Sequence, residues 1–276
     1  MRRNPSPRLA RTSALALIAA LGCRLPDGVG PDGTNGGLER FEYESQAMGT
    51  HFRIILYGPD EAGASRAADA AFARVAALDA ALSDWDPESE LSRLSTASDD
   101  GPTDPLPVSE DLFRVLTLAR AVSTASDGAF DVTVGPCVRL WRRTARQGQL
   151  PTPERLEAAR AAVDWRAVEL DSSARTARLA RADMRLDLGG IAKGYALDEA
   201  LAVLRDHGLT RALVEGGGDV AVGDAPPGAA GWRIALGATA DEVDRPRAGL
   251  LLAHAACATS GDLYQSVELD RVVYSH

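Results

Sequence analysis

The stretch Leu186 to Ala196, reading LDLGGIAKGYA, limits what this chain can fold into more than any other. An apolar run closes on Asp187, Gly189 and Gly190 turn the chain, and Ile191 opens a helical pattern that continues to His207 and stops at Gly208. Met184 to Leu188 reads as the strand before the turn. A strand-to-helix junction of this kind can present backbone N–H groups and a cation to an anion. Lys193 falls in the first turn, where the helix dipole disfavours a cation unless an anion is there too. A phosphate would supply that anion; a purely structural turn is the alternative for the same residues.

The elements around the junction are mixed. Phe52 to Tyr57 reads as a first strand, following Met48, Gly49 and Thr50, and Ala67, Ala71, Val75, Leu78 and Leu82 mark the inner face of a helix that ends near Ser83. Ser83 to Ser95 reads as a polar loop interrupted by Pro87, with Trp85 among acids as a surface or ligand residue. Ser109 caps a second helix with Leu112, Val115, Leu116, Ala119 and Val122 inside, stopped by Gly128. Phe130 and Asp131 follow, before a turn at Gly135 and Pro136. Thr152 and Pro153 open a third helix, Val168 to Leu170 and Ala177 to Leu179 form a hairpin, and Gly216 to Gly218 separate two strands within Ala212 to Val222. Trp232 to Leu236 and Leu250 to His254 add strands. Strands and helices do not alternate regularly, so the fold class expected is α+β, mixed sheets with packed helices, rather than a doubly wound parallel sheet. No GxGxxG heads a βαβ unit, which argues against a nicotinamide dehydrogenase.

Composition narrows the partners. The net charge is −9, and −13 without the first 22 residues, so nothing here recruits nucleic acid by charge. Arg2, Arg3, Arg8 and Arg11 precede an apolar run from Ala14 to Leu21 that is too short to span a bilayer. Residues 1–22 resemble a bacterial lipoprotein export signal, with Cys23 as the lipidated residue, 23–40 as a flexible tether and 41–276 as the folded domain. The expected location is the cell envelope outside the cytoplasm, lipid-anchored to a membrane, with secretion to the periplasm as the rival. Cys137 and Cys257 lack CxxC spacing and are either a disulfide or two buried thiols.

Seven blocks in order, MGT at Met48, SELSRL at Ser89, Gly128 to Trp141, DLGGIAKGYALD at Asp187, GGDV at Gly217, TSGD at Thr259 and YSH at Tyr274, resemble the FAD:protein FMN transferase family, the ApbE-like flavin transferases. The resemblance implies an ApbE-like fold and an enzyme that uses FAD and Mg2+ to attach FMN through a phosphoester to a threonine of an acceptor protein, releasing AMP. It implies FAD contacts from Met48, Trp85, Ala129, Phe130, Asp131, Asp187 and Lys193, a backbone oxygen of Gly190 for magnesium, and His276 as the group that takes the hydroxyl proton. Acceptors in that family are subunits of membrane redox complexes or other extracytoplasmic flavoproteins. Family members continue beyond this histidine into a segment whose Asp and Thr side chains complete the metal site, so the 276-residue form is expected to be catalytically impaired. Ser95 stands where the family has an asparagine. The alternatives are hydrolysis of FAD to FMN and AMP, which needs only water in place of the threonine, a non-catalytic flavin-binding lipoprotein, and a generic export-anchored binding protein.

Overall fold

The computed structural model describes residues 37–236, 248–259, 266–269 and 272–275. In chain order these form β1 (Glu39–Ala47), β2 (Thr50–Gly58), α1 (Glu61–Leu82), α2 (Glu90–Thr96), β3 (Leu106–Pro107), α3 (Glu110–Ala125), α4 (Gly135–Gln147) and α5 (Pro153–Ala161). A 3-10 turn at Trp165–Ala167 leads into β4 (Val168–Asp171) and β5 (Thr176–Leu179), followed by α6 (Ala192–Asp206), β6 (Ala212–Gly216) and β7 (Asp219–Val222). The last strands are β8 (Trp232–Leu236), β9 (Ala248–Leu252), β10 (Ala255–Cys257), β11 (Ser266–Leu269) and β12 (Val272–Ser275). Among the described residues the main sheet is antiparallel, in the order β1-β2-β6-β7-β10, with a three-stranded sheet β3-β5-β4 and the pairs β8-β9 and β11-β12 beside it. The expected α+β class is what the chain adopts.

Side-chain alternation splits the main sheet into two faces. Ile54, Leu56, Val214 and Ala221 lie in the principal core with α1 and α6, while Ile55, Leu213, Val220 and Val222 pack with Trp232 on the other side. α1 meets α6 through small side chains: Ala64, Ala67, Ala68 and Ala71 on one helix and Ala196 and Ala200 on the other are fully buried, which lets the two backbones approach closely. Charge then fixes the helices in register. Arg74 of α1 donates to Asp111 of α3 at 2.5 and 2.7 Å and to Glu199 of α6 at 2.6 and 3.1 Å, and Tyr195 Oη donates to Asp111 Oδ1 at 2.9 Å. The Arg74 guanidinium holds the Asp111 carboxyl below the usual range, and burial, with Asp111 beside it, pushes the Tyr195 phenol up.

Several expectations change. Ser89 caps a helix, α2, inside what reads as a polar loop, its hydroxyl accepting from Ser92 N at 3.0 Å. The Gly135–Pro136 turn is the first turn of α4, where proline costs nothing because its missing N–H has no helical partner. Met184 to Leu188 forms no strand; among the described residues its one ladder contact is a parallel bridge between Arg185 and Val134. β1 precedes the strand expected to be first and opens at Glu39, within the stretch read as tether; its ERFEYESQA alternation, with glutamates outward, carries little apolar signal. Val122, expected inside α3, is 44% exposed. Cys137 and Cys257 are free thiols, and burial pushes the Cys137 thiol up.

Asp111→Asn should destabilise the protein by about 2 kcal/mol at neutral pH by breaking charge-assisted bonds. A depressed carboxyl contributes stability above its unfolded pKa, about 3.9, and loses it as pH falls through the folded value. Urea midpoints of wild type and variant should therefore converge as pH is taken below about 4.

Candidate functional site

The segment before α6 has no sheet to satisfy it, so its polar groups find partners elsewhere. Leu186 N donates to Ser95 Oγ at 3.0 Å, Ser98 Oγ donates to Met184 O at 2.9 Å, Asp187 N donates to Val132 O at 2.8 Å and Gly135 N donates to Arg185 O at 3.2 Å. Ser95, which departs from the family pattern, is thus buried and bonded to the junction. A Cβ on Gly135 would lie 2.7 Å from the Arg185 carbonyl oxygen, so only glycine lets α4 start this close. Asp187 is held on this spine, its side chain 12% exposed. Its Oδ1 accepts from Gly189 N at 2.8 Å, and its Oδ2 faces Arg142 Nη2 at 3.4 Å. Leu188 O then accepts from Ile191 N at 2.9 Å and Ala192 N at 2.8 Å, which starts α6. No side chain caps that helix and no acid lies in its first turn.

Three blocks far apart in sequence meet at the helix start. A Cβ on Gly217 would lie 3.2 Å from Thr50 Oγ1 and 3.5 Å from Lys193 Cδ, so the lysine stem runs between the β1–β2 turn and the glycine turn joining β6 to β7. Met48 and Gly49 form that first turn with φ of 50° and 69°, the geometry of a tight two-residue hairpin. Methionine rarely adopts it, and Met48 N is held by Asp79 Oδ2 at 2.7 Å. The Phe130 ring borders Gly190, its Cε2 3.2 Å from where a Cβ would stand, and Ala129 N donates to Ser126 O. Asp131 lies in the same loop, but its carboxylate accepts from Thr133 N and Oγ1 at 2.7 and 2.6 Å and from Trp165 N at 3.0 Å, so it shapes the loop. Thr259 N donates to Asp219 Oδ1 at 3.1 Å, which ties the TSGD block to the GGDV block. His276 and Cys23 lie outside the described residues.

Arg142 is the residue that reading the sequence misses. Its guanidinium lies 4.0 Å from the Trp85 ring centre and pairs with both Asp84 and Asp187. Trp85 is 69% exposed, as expected of a surface or ligand residue, and the guanidinium covers one face of the indole. Beside this group Trp141 meets Tyr274 edge-on at 5.7 Å. The signal that could have found Arg142 was the basic pair after Trp141; its partners are 58 and 45 residues away, and sequence periodicity carries no information at that range.

The described residues supply no carboxylate cluster for a magnesium ion. Both oxygens of Asp187 already have partners, and no group of three His, Cys, Asp or Glu side chains among the described residues could hold an ion.

The family model described as the ApbE family matches residues 48–276. The chain belongs to the ApbE family. The FAD:protein FMN transferase of Klebsiella pneumoniae (strain 342) is 30% identical over 241 residues, 84% of this chain and 67% of that protein. A FAD:protein FMN transferase of Chlamydia muridarum is 30% identical over 199 residues, 72% of this chain and 60% of that one. This ApbE-family chain thus spans 60–67% of the length of those two relatives. Its fold is shared with the ApbE protein of Thermotoga maritima, with a TM-score of 0.74, 28% identity and coverage of 86% of this chain and 75% of that one. The flavin transferase ApbE of Vibrio cholerae matches with a TM-score of 0.66 and 28% identity, over 72% and 64% of the two chains. By the names its members carry, the family is one of flavin-transferring enzymes.

Arg142→Met should cost about 1 kcal/mol of stability, the scale of an exposed cation–π contact. It should also raise acrylamide quenching of the Trp85 emission, taken as the difference from Trp85→Phe. Unchanged quenching would mean that Arg142 does not hold the indole.

Proposed function

We propose that this chain binds FAD across the start of α6 and transfers its FMN half to a threonine of an acceptor protein, releasing AMP. The observation that carries this is the convergence of Lys193, Thr50 and Gly217 at a helix start with no capping side chain and no acid. A pyrophosphate there meets a helix N-terminus and an ammonium group together, so a cation that opposes the helix dipole becomes a ligand for the anion. Phe130 beside Gly190 and Trp85 on Arg142 offer aromatic surfaces for the rings of the dinucleotide.

The reaction is a phosphoryl transfer, governed by positioning and by stabilisation of charge on the phosphate oxygens. The threonine Oγ bonds to the phosphorus nearer the riboflavin and the bridging P–O bond breaks. AMP leaves with the bridging oxygen, and the hydroxyl proton passes to a base, a role given to His276 in this proposal. Lys193 offsets charge that grows on the departing phosphate. Magnesium dependence belongs to the proposal too, with Gly190 contributing a backbone oxygen and most other ligands supplied from outside the described residues. So does attachment outside the cytoplasm through a lipid on Cys23, which would bring the domain near membrane redox complexes carrying acceptor threonines.

Incubating the chain with FAD, Mg2+ and a protein carrying the acceptor threonine should give flavin fluorescence that survives denaturing electrophoresis, with one AMP per flavin attached. Lys193→Ala should lower kcat/KM about 100-fold or more, and EDTA should abolish transfer. AMP and free FMN formed equally fast without acceptor would replace transfer by hydrolysis.

A further inference from the structure

Residues 135–185 are opposite in charge to the rest of the chain. They hold eleven arginines, no lysine and six acidic residues, in a protein whose net charge is −9. Several of these arginines face carboxylates: Arg142 pairs with Asp84 and Asp187, Arg178 with Glu169, Arg181 with Asp164 and Arg185 with Asp99. Arg143 and Arg146 of α4 and Arg155 of α5 do not. All three are exposed, and among the described residues none has a carboxylate within ion-pair distance. The nearest acids on α5 are otherwise engaged, Glu154 by the Thr152 cap and Glu157 by Arg160 at 3.9 Å.

Between the two helices is a cleft of about 110 Å³, with Arg143 and Arg155 on its walls and Leu140, Leu150 and Pro151 giving it apolar surface. Arg155 lies one helical turn before Ala159, the buried residue of α5, which places it on the face turned to α4. The opposite side of α4 carries Arg142, which touches Asp187 and Trp85. A single helix, about 10 Å across, therefore separates the cleft from the proposed FAD site. An extended chain covers that distance in a few residues.

We propose that the α4–α5 face docks an acidic segment of the acceptor protein, which rests on the transfer to a protein threonine proposed for this chain. Carboxylates of the segment pair with Arg143 and Arg155, a neighbouring side chain enters the cleft, and the threonine a few residues away reaches the start of α6. Guanidinium forks suit carboxylates, and on an otherwise acidic protein this face is the one that attracts an acidic chain and orients it. The cleft, with Leu140, Leu150 and Pro151 set among polar side chains, is shaped to take a side chain of a polypeptide, which the headgroups of a membrane surface do not present.

The test uses the full chain without FAD, so that it does not depend on turnover. Fluorescence anisotropy would compare a short labelled peptide bearing one threonine among aspartates and a leucine with a control in which asparagines replace the aspartates. Vesicles of phosphatidylglycerol in phosphatidylcholine form a third arm. The acidic peptide should bind at least about tenfold more tightly than the control, and more weakly as salt rises. The double variant R143E/R155E should lose that margin while its FAD affinity, measured by flavin quenching, stays at the wild-type value. Equal binding of the two peptides, a margin that survives the double variant, or binding to the anionic vesicles but not to the acidic peptide would each overturn the proposal. Failure of FAD to bind at all, with the peptide result intact, would count against the flavin-transfer function and not against the docking face.

Discussion

The first turn of α6 is where folding energetics and chemistry pull in different directions. Helices ordinarily begin with a capping oxygen and an acid; this one begins with Ile191, which caps nothing, and Lys193, whose charge opposes the dipole. The rest of the structure supports that unfavourable start. Small alanines let α1 and α6 close on each other, and the Arg74, Asp111, Glu199 and Tyr195 network locks α6 to α1 and α3. The helix is held by packing and charge along its length, which leaves its N-terminus available for a ligand.

The same logic governs the segment in front of it. Residues 184–188 join no sheet among the described residues, and their polar groups are met by Ser95, Ser98, Val132 and Gly135. Asp187 is consequently placed by two segments, 95–98 and 132–135, and Arg142, farther along α4, pairs with it while covering Trp85. A carboxylate fixed in this way resists reorganisation when a charged ligand arrives, which is the condition for electrostatic preorganisation.

How much of this was legible in the sequence depended on whether the signal was local. The inner face of α1, the caps Ser109 and Thr152, and the glycine turn between β6 and β7 are short-range patterns and stand as expected. α2 and α4 were hidden because Pro87 and Gly135–Pro136 signal breaks, although the same residues also precede or open helices. β1 was hidden by its outward glutamates. At the site, Asp187, Gly190 and Lys193 come from one contiguous stretch and were visible in it. That Lys193 lies against Thr50 and Gly217, and Arg142 against Asp84 and Asp187, depends on tertiary contacts that no local period encodes.

The central claim is that α6 begins with a lysine because a pyrophosphate belongs there. Comparing the affinities of the chain for FAD and for riboflavin, in wild type and in Lys193→Met, tests it most directly. The account predicts that FAD binds more tightly than riboflavin by about tenfold or more and that the substitution removes most of this margin while leaving riboflavin binding unchanged. A margin that survives the loss of Lys193, or a variant that loses both ligands equally, would contradict it.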